Sequence, residues 1–177
     1  MLHLILLLIL ESSKSVNQGI IRNHCNSMKT PVNDMLNNIS YNWRNFLFCF
    51  ARIFAAISFN HHKDKGTLII DDTCKKKSGN KVQHLSWFYD HANDEYFTGF
   101  QNVTCAWCNG RSTIPIDFEF KIGNKKTKHA TKSDYARGSH AEQRVRFAKQ
   151  KKTEIAIQMI KRAFQRNFPI NYILWDS

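Results

Sequence analysis

The sequence predicts a mixed α/β domain preceded by a helical region. Apolar residues recur at steps of three and four as far as Ile57, which is the period of a helix. From Thr67 the pattern changes to that of strands, and near the C terminus an amphipathic helix precedes a last apolar strand. The 177 residues have room for one ordinary domain and a small helical piece. We therefore assign residues 1–60 to a helical N-terminal region and residues 61–177 to the main domain.

The composition indicates a folded protein with a basic surface. Hydrophobic residues make up 42% of the chain, which is enough apolar material for a core. The formal net charge is +12, and residues 121–166 alone hold fourteen Lys and Arg against three acids. We therefore expect a polyanionic partner, with nucleic acid preferred to an anionic membrane surface. A solvated basic face without any partner is the alternative.

The apolar run at residues 2–10 does not predict a membrane span. It has about half the length that a bilayer span needs, and no Lys or Arg precedes it as in an export signal. We interpret it as a helix buried against protein. The five cysteines are irregularly spaced and give no disulfide framework, which indicates a reducing compartment. We therefore predict a cytoplasmic protein without a membrane partner.

Two helices are predicted in the N-terminal region besides the apolar run. Thr30 and Pro31 are typical of a helix start, and the apolar stripe from Ile39 to Ile57 predicts a packed helix face. Short segments at residues 15–25 and 31–38 resemble a helix-turn-helix, which would make the region a DNA-binding remnant. A helical cap on the following domain is the alternative.

Three strands are predicted after this region. Residues 67–70 form a buried strand that we expect to end at Asp71-Asp72-Thr73. Residues 100–107 and 114–121 form an antiparallel pair, because Asn109-Gly110 between them is typical of a hairpin turn. In the second strand of the pair, alternation places four apolar side chains on one face: Ile114, Ile116, Phe118 and Phe120.

The C-terminal quarter is predicted to contain a polar connection, a helix and a strand. Residues 122–144 are polar and basic, and an apolar stripe from Ile155 to Phe164 then predicts a helix that Pro169 closes. The strand at 171–177 delivers Asp176 at its end. The basic residues expected to contact DNA phosphates are Lys75, Lys76, Lys77, Lys151, Lys152, Lys161 and Arg162.

Two predicted strands each end in an aspartate, and this pattern suggests a metal site. If these strands are neighbours in one sheet, Asp72 and Asp176 converge, and a cation must neutralise their repulsion. Carboxylate oxygens select Mg²⁺ or Mn²⁺ over zinc, and a pair of such ions can activate water or a 3′ hydroxyl against a phosphodiester. Plain strand-end acids, placed there by turn preferences, are the alternative. The pair Cys105 and Cys108 has metal-ligand spacing, but without a second pair it predicts strand fillers better than zinc ligands.

A set of motifs in order along the chain resembles a known family. They lie at residues 68–73, 75–79, 87–91, 99–100, 114–118 and 172–177. Together they look like the catalytic domain of insertion-sequence DDE transposases over residues 60–177. The resemblance implies a ribonuclease-H-like fold, in which three antiparallel strands are followed by a helix and a strand parallel to the first. It implies Mg²⁺ ligated by Asp72, preferred to Asp71, and by Asp176, with double-stranded DNA at transposon ends and target as substrate. A monomer and a homo-oligomer both stay open as the working form.

The sequence departs from this family at the third catalytic acid. The family places a glutamate well beyond the second aspartate, whereas Glu119, Glu142 and Glu154 all precede Asp176. We therefore expect a truncated transposase that is inactive alone, with its last strand at a sheet edge. The alternatives are a non-catalytic DNA-binding remnant that inhibits an intact transposase, and an unrelated Mg²⁺ nuclease on the same fold.

Overall fold

The computed structural model describes residues 29–58, 65–79, 82–91, 93–123 and 135–175. By compactness the chain divides into two units, Met1–Tyr41 and Asn42–Ser177. The unit that holds the sheet thus begins ahead of residue 60, and the functional division at that residue stays a prediction. In the first unit the structure describes helix α1, Lys29–Asn37, with Pro31 in its first turn. The predicted helix at 15–25 and the apolar run at 2–10 lie outside the described residues.

Helix α2, Trp43–Ser58, opens the second unit. The Asn42 side chain accepts a hydrogen bond from the Asn45 N–H at 2.9 Å and so caps its first turn. Phe48, Ala51 and Ala55 are buried against the sheet. The prediction that the whole apolar stripe is packed is wrong in part, because the helix approaches the sheet along its two small alanines. This leaves four apolar side chains of α2 exposed: Phe46, Phe50, Ile53 and Ile57.

A mixed sheet follows, which confirms the predicted α/β class. The described residues form five strands, namely β1 (Gly66–Lys76), β2 (Ser86–Asp90), β3 (Glu95–Cys108), β4 (Thr113–Lys121) and β5 (Ile170–Trp175). The long strand β3 lies in the middle and pairs antiparallel with β1 on one edge. Its other edge pairs with β2 along residues 95–99 and with β4 along residues 101–108. Strand β5 runs parallel to β1.

Strand β1 is longer than the sequence pattern predicts. We expected it to end at Asp71, but its pairing with β3 continues as far as Lys76, which lies opposite Gly99. The backbone hydrogen bonds to β3 therefore keep the polar residues of β1 in the sheet. Strand β2, Ser86–Asp90, was not predicted as a strand; it is held by its pairing with the N-terminal part of β3.

A bulge in β4 corrects the predicted face of that strand. Cys105 pairs with Asp117, and Ala106 pairs with Pro115, so Ile116 is an extra residue. The alternation therefore changes phase after Ile116. The buried face of β4 carries Ile114, Ile116, Asp117 and Glu119, whereas Phe118 and Phe120 belong to the opposite face.

The helices of the second unit cover one face of the sheet. Helices α3 (His140–Ala148) and α4 (Lys152–Gln165) precede β5, so the predicted polar connection at 122–144 already includes the start of α3. The core beneath them joins α2, α4 and the inward side chains of β1, β3 and β4, with Trp107 and Met159 fully buried. Ser139 caps α3 by accepting a hydrogen bond from the Glu142 N–H at 3.2 Å. No helix in the described part of the chain is long and apolar enough to cross a membrane.

Strand β5 lies at the edge of the described sheet, as predicted. Within that sheet it pairs with β1 alone. Its side chains Tyr172 and Leu174 are exposed.

Phe48 tests the packing of α2. We expect Phe48→Ala to lower the free energy of unfolding by about 3–5 kcal/mol, because it removes a fully buried ring and leaves a cavity that neighbouring side chains fill only in part. The matched control is Phe50→Ala on the same helix, since this ring is already 45% exposed. Urea denaturation followed by circular dichroism measures both changes. Equal losses for the two variants would show that α2 does not pack as described.

Candidate functional site

The two neighbouring aspartates of β1 point to opposite faces of the sheet. Asp72 follows Leu68 and Ile70 on the helix-covered face, and its side chain is 19% exposed. Asp71 lies on the open face and is exposed. The alternation of the strand thus separates the two candidates for the first metal ligand.

Asp72 contacts one cation and one amide. Its Oδ1 accepts from the Lys152 Nζ at 2.8 Å, and its Oδ2 accepts from the Gln101 side-chain amide. Lys152 is the first residue of α4, and the Glu154 carboxylate caps this helix by accepting from the Lys151 N–H at 3.1 Å. The positive end of the helix dipole therefore lies on the same side as the Lys152 ammonium.

Asp176 itself lies outside the described residues. The strand that leads to it ends at Trp175, which pairs in parallel with Ile70 of β1. Both strands therefore run toward the same end of the sheet, and Asp72 lies two residues beyond Ile70. The convergence of the two carboxylates stays a prediction.

The donor set beside Asp72 is chemically suited to a hard cation but incomplete. Asp72 supplies carboxylate oxygens, the ligand type that Mg²⁺ and Mn²⁺ prefer, whereas Gln101 turns its N–H donor toward Asp72. The described residues contain no group of three His, Cys, Asp or Glu that could hold a metal ion. On the same face of β1, Cys74 has its thiol pKa raised by burial and by the nearby carboxylates of Asp90 and Asp72.

The described cysteines of the Cys-x-x-Cys pair do not form a zinc site. Cys105 lies in the core, where burial and the carboxylate of Asp117 raise its pKa to about 12. Cys108, three residues further along β3, lies on the opposite face. The interpretation of the two as strand fillers thus fits their positions.

The predicted DNA-binding residues differ in their surroundings: some pair with acids and others are exposed to solvent. Three of them pair with acids: Lys76 with Glu95, Lys152 with Asp72, and Arg162 with the buried Asp117. The remaining four are exposed. Lys75 lies on the open face of β1 and Lys77 directly follows this strand, while Lys151 directly precedes α4 and Lys161 lies on it.

A buried ion-pair network at β4 was missed by sequence reasoning. Asp117 is fully buried and accepts from Arg44 Nε at 2.8 Å and from Arg162 Nε at 2.7 Å. Glu119 is 2% exposed and pairs with Arg44 and, at 3.5 Å, with Arg144. Burial raises the pKa of Glu119, against the opposing effect of Arg144 and Arg44. The network joins β4 to α2, α3 and α4, and its only signal in the sequence was two acids alternating in a strand.

A model of a known family matches this chain. The family is described as DDE superfamily endonuclease, and the match covers residues 7–177. No curated protein matches the chain, and neither does any solved structure.

Proposed function

Because this chain belongs to the DDE superfamily of endonucleases, we propose that it carries catalytic aspartates of a transposase, which performs DNA cleavage and strand transfer on a ribonuclease-H-like fold. The order of its strands supports this fold. Strands β1, β3 and β4 form an antiparallel set, helices follow, and β5 returns parallel to β1.

Asp72 and Asp176 are the carboxylates that we assign to the metal. One observation carries this assignment. Asp72 lies on the helix-covered face of β1, and two residues before it Ile70 pairs with Trp175 of β5, the residue directly before Asp176. Divalent ions are typical of this superfamily, and Mg²⁺ or Mn²⁺ suits two oxygen ligands. When bound, such an ion stabilises charge on a phosphodiester and lowers the pKa of water.

Two neighbouring side chains, those of Gln101 and Lys152, orient and neutralise the Asp72 carboxylate. Gln101 holds one carboxylate oxygen, which limits rotation of the side chain. Lys152 neutralises the other oxygen and lies at the solvent edge, with 33% of its side chain exposed. A cation that binds Asp72 from solvent therefore competes with the Lys152 ammonium.

DNA is the substrate class that the family implies, and the charge of the chain suits it. Lys151 directly precedes helix α4 and Lys161 lies on it, and both are exposed. We propose that they contact phosphates of a duplex whose scissile bond lies at Asp72. We propose element ends and target DNA of an insertion sequence as the natural duplexes, bound by a homo-oligomer.

A second candidate function is DNA binding without catalysis, in which the chain occupies element ends and inhibits an active transposase. One observation favours it. The ammonium of Lys152 already neutralises Asp72.

Nicking of supercoiled plasmid separates the two functions. The purified chain is incubated with plasmid in MgCl₂, in MnCl₂ or in EDTA, and binding to a labelled duplex is measured in parallel. Catalysis predicts open circles in either metal and none in EDTA. Duplex binding without open circles in both metals would reject the endonuclease and leave the binding role.

Lys152 gives a prediction that does not depend on turnover. We expect Lys152→Met to bind Mn²⁺ about tenfold more tightly than the wild type, because the variant lacks the competing charge at Asp72. The bound fraction is measured by electron paramagnetic resonance of free Mn²⁺. Lys151→Met, one residue away and exposed, is the control and keeps the wild-type affinity. Weaker binding in Lys152→Met would show instead that Lys152 holds Asp72 in its metal-binding position.

A further inference from the structure

The face of the sheet opposite the helices contains a cleft of about 630 Å³. It is formed by side chains of β1, β3 and β4 and by the residue after β1. Its lining residues are Thr73, Lys75, Lys77, Phe100, Asn102 and Phe120. The register explains why they meet, because Thr73 pairs with Asn102, and Asn102 pairs with Phe120. A cleft of this volume is large enough for a nucleotide-sized group.

Aromatic rings form the apolar part of this cleft. The rings of Phe100 and Phe120 lie edge to face, with centroids 5.7 Å apart. Phe120 is 41% exposed, whereas its neighbour Glu119 on the other face of β4 is buried. An exposed ring on a sheet surface offers a flat face on which a base can stack, and each stacked base contributes about 1–3 kcal/mol to single-strand binding in known cases.

Two lysines supply the charge beside the rings. Lys75 lies next to Phe100 in the register of β1 and β3, and Lys77 follows two residues later on the same face. Both are exposed. Residues two apart on a strand are about 7 Å apart, so two ammonium groups can contact successive phosphates of an extended strand.

Asn102 adds a polar group that lacks a partner. Its Nδ2 donates to Thr104 Oγ1 at 3.0 Å. Its Oδ1 is buried and accepts no hydrogen bond from the residues that the structure describes. A buried acceptor in this state is unfavourable, and rotation of the Asn102 side chain would turn this oxygen into the cleft that the residue lines, where the exocyclic amino group of a nucleobase can donate to it.

From these three features we propose that the cleft binds an unpaired nucleic-acid strand, with bases stacked on Phe120 and phosphates at Lys75 and Lys77. A duplex does not fit this site, because its bases are stacked on one another and offer no free face. An apolar helix would leave the two ammonium groups and the Asn102 oxygen without partners. This site goes beyond the proposed function, since Asp72 belongs to the other face of the same sheet.

Fluorescence anisotropy of a labelled oligonucleotide tests the proposal. Twelve-residue single strands of DNA and of RNA are titrated with the full chain in EDTA, at several NaCl concentrations. We expect Phe120→Ala to weaken binding about tenfold or more with an unchanged salt slope, because stacking is not ionic. The double variant Lys75→Gln, Lys77→Gln should weaken binding and also reduce the slope of log K against log salt by about 1.4, the value for two phosphate contacts on a single strand.

Two controls distinguish the cleft from general attraction to a basic protein. Phe50→Ala removes an exposed ring from the helix layer, and Lys149→Gln removes an exposed charge after α3. Both variants should bind the oligonucleotides as the wild type does, and all variants should keep the wild-type circular dichroism spectrum.

Two results would overturn the proposal. One is equal loss of binding in the control variants and the cleft variants. The other is wild-type oligonucleotide affinity in Phe120→Ala, or a change of oligomeric state in that variant, which would assign the face to a second copy of the chain. EDTA prevents metal-dependent cleavage, so failure of the endonuclease proposal leaves this test unaffected, and failure here leaves the plasmid experiment unaffected.

Discussion

Asp72→Asn is expected to reduce metal-dependent nicking of plasmid DNA by about a thousandfold or more. The substitution keeps the shape of the side chain and one oxygen near Gln101, but it removes the negative charge that would hold the cation. The initial rate of open-circle formation in MgCl₂ measures the loss. Variant and wild type are compared at equal folded fraction, because the Lys152 ammonium loses its partner in the variant.

The neighbouring acid provides a matched control. Asp71→Asn changes the same residue type one position earlier, on the exposed open face. We expect it to nick plasmid at nearly the wild-type rate. The reverse outcome, a large loss for Asp71→Asn with an active Asp72→Asn, would move the metal to the open face of the sheet and reject the site described above.

Asp117→Ala is expected to cost about 3–5 kcal/mol of the free energy of unfolding. Asp117 is fully buried between Arg44 and Arg162, which are 14% and 20% exposed. Removing the carboxylate leaves two nearly buried guanidinium groups without their shared counter-charge. Removing one partner of a buried ion pair destabilises a protein more than replacing both partners by apolar residues. Urea denaturation measures the change.

An exposed ion pair is the control for this network. Glu95→Ala breaks the pair with Lys76, whose side chains are 48% and 57% exposed, so it should change stability little. A double variant, Asp117→Met with Arg162→Met, removes one carboxylate together with one of its guanidinium partners and leaves Arg44 paired with Glu119, so it should recover part of the stability lost in Asp117→Ala. Equal effects of Asp117→Ala and Glu95→Ala would contradict the buried network.

The sequence pattern predicted the family and the class of fold because these depend on local signals. The family match confirms the resemblance seen in the motifs. Strand alternation also anticipates that Asp71 and Asp72 face opposite ways, since the period of a strand is two. The parallel return of β5 beside β1 follows from the family order of strands.

Other features depend on tertiary contacts and were not predictable in this way. Apolar and polar residues alternate without a break in the sequence around Ile116, so the pattern does not reveal the bulge there. The bulge nevertheless moves Phe118 and Phe120 to the opposite face of the sheet. The contact of Lys152 with Asp72 spans eighty positions and arises where α4 meets the sheet. Charge runs alone cannot distinguish a lysine that binds DNA from one that neutralises an acid.

The central claim is that Asp72 and Asp176 hold one metal site together. Mn²⁺ binding, measured by electron paramagnetic resonance for the wild type, Asp72→Asn, Asp176→Asn and the double variant, tests it most directly. A shared site predicts that each single substitution weakens binding strongly and that the double variant is little worse than either, because the ion is already lost. Wild-type affinity in Asp176→Asn, or fully additive losses in the double variant, would contradict the claim.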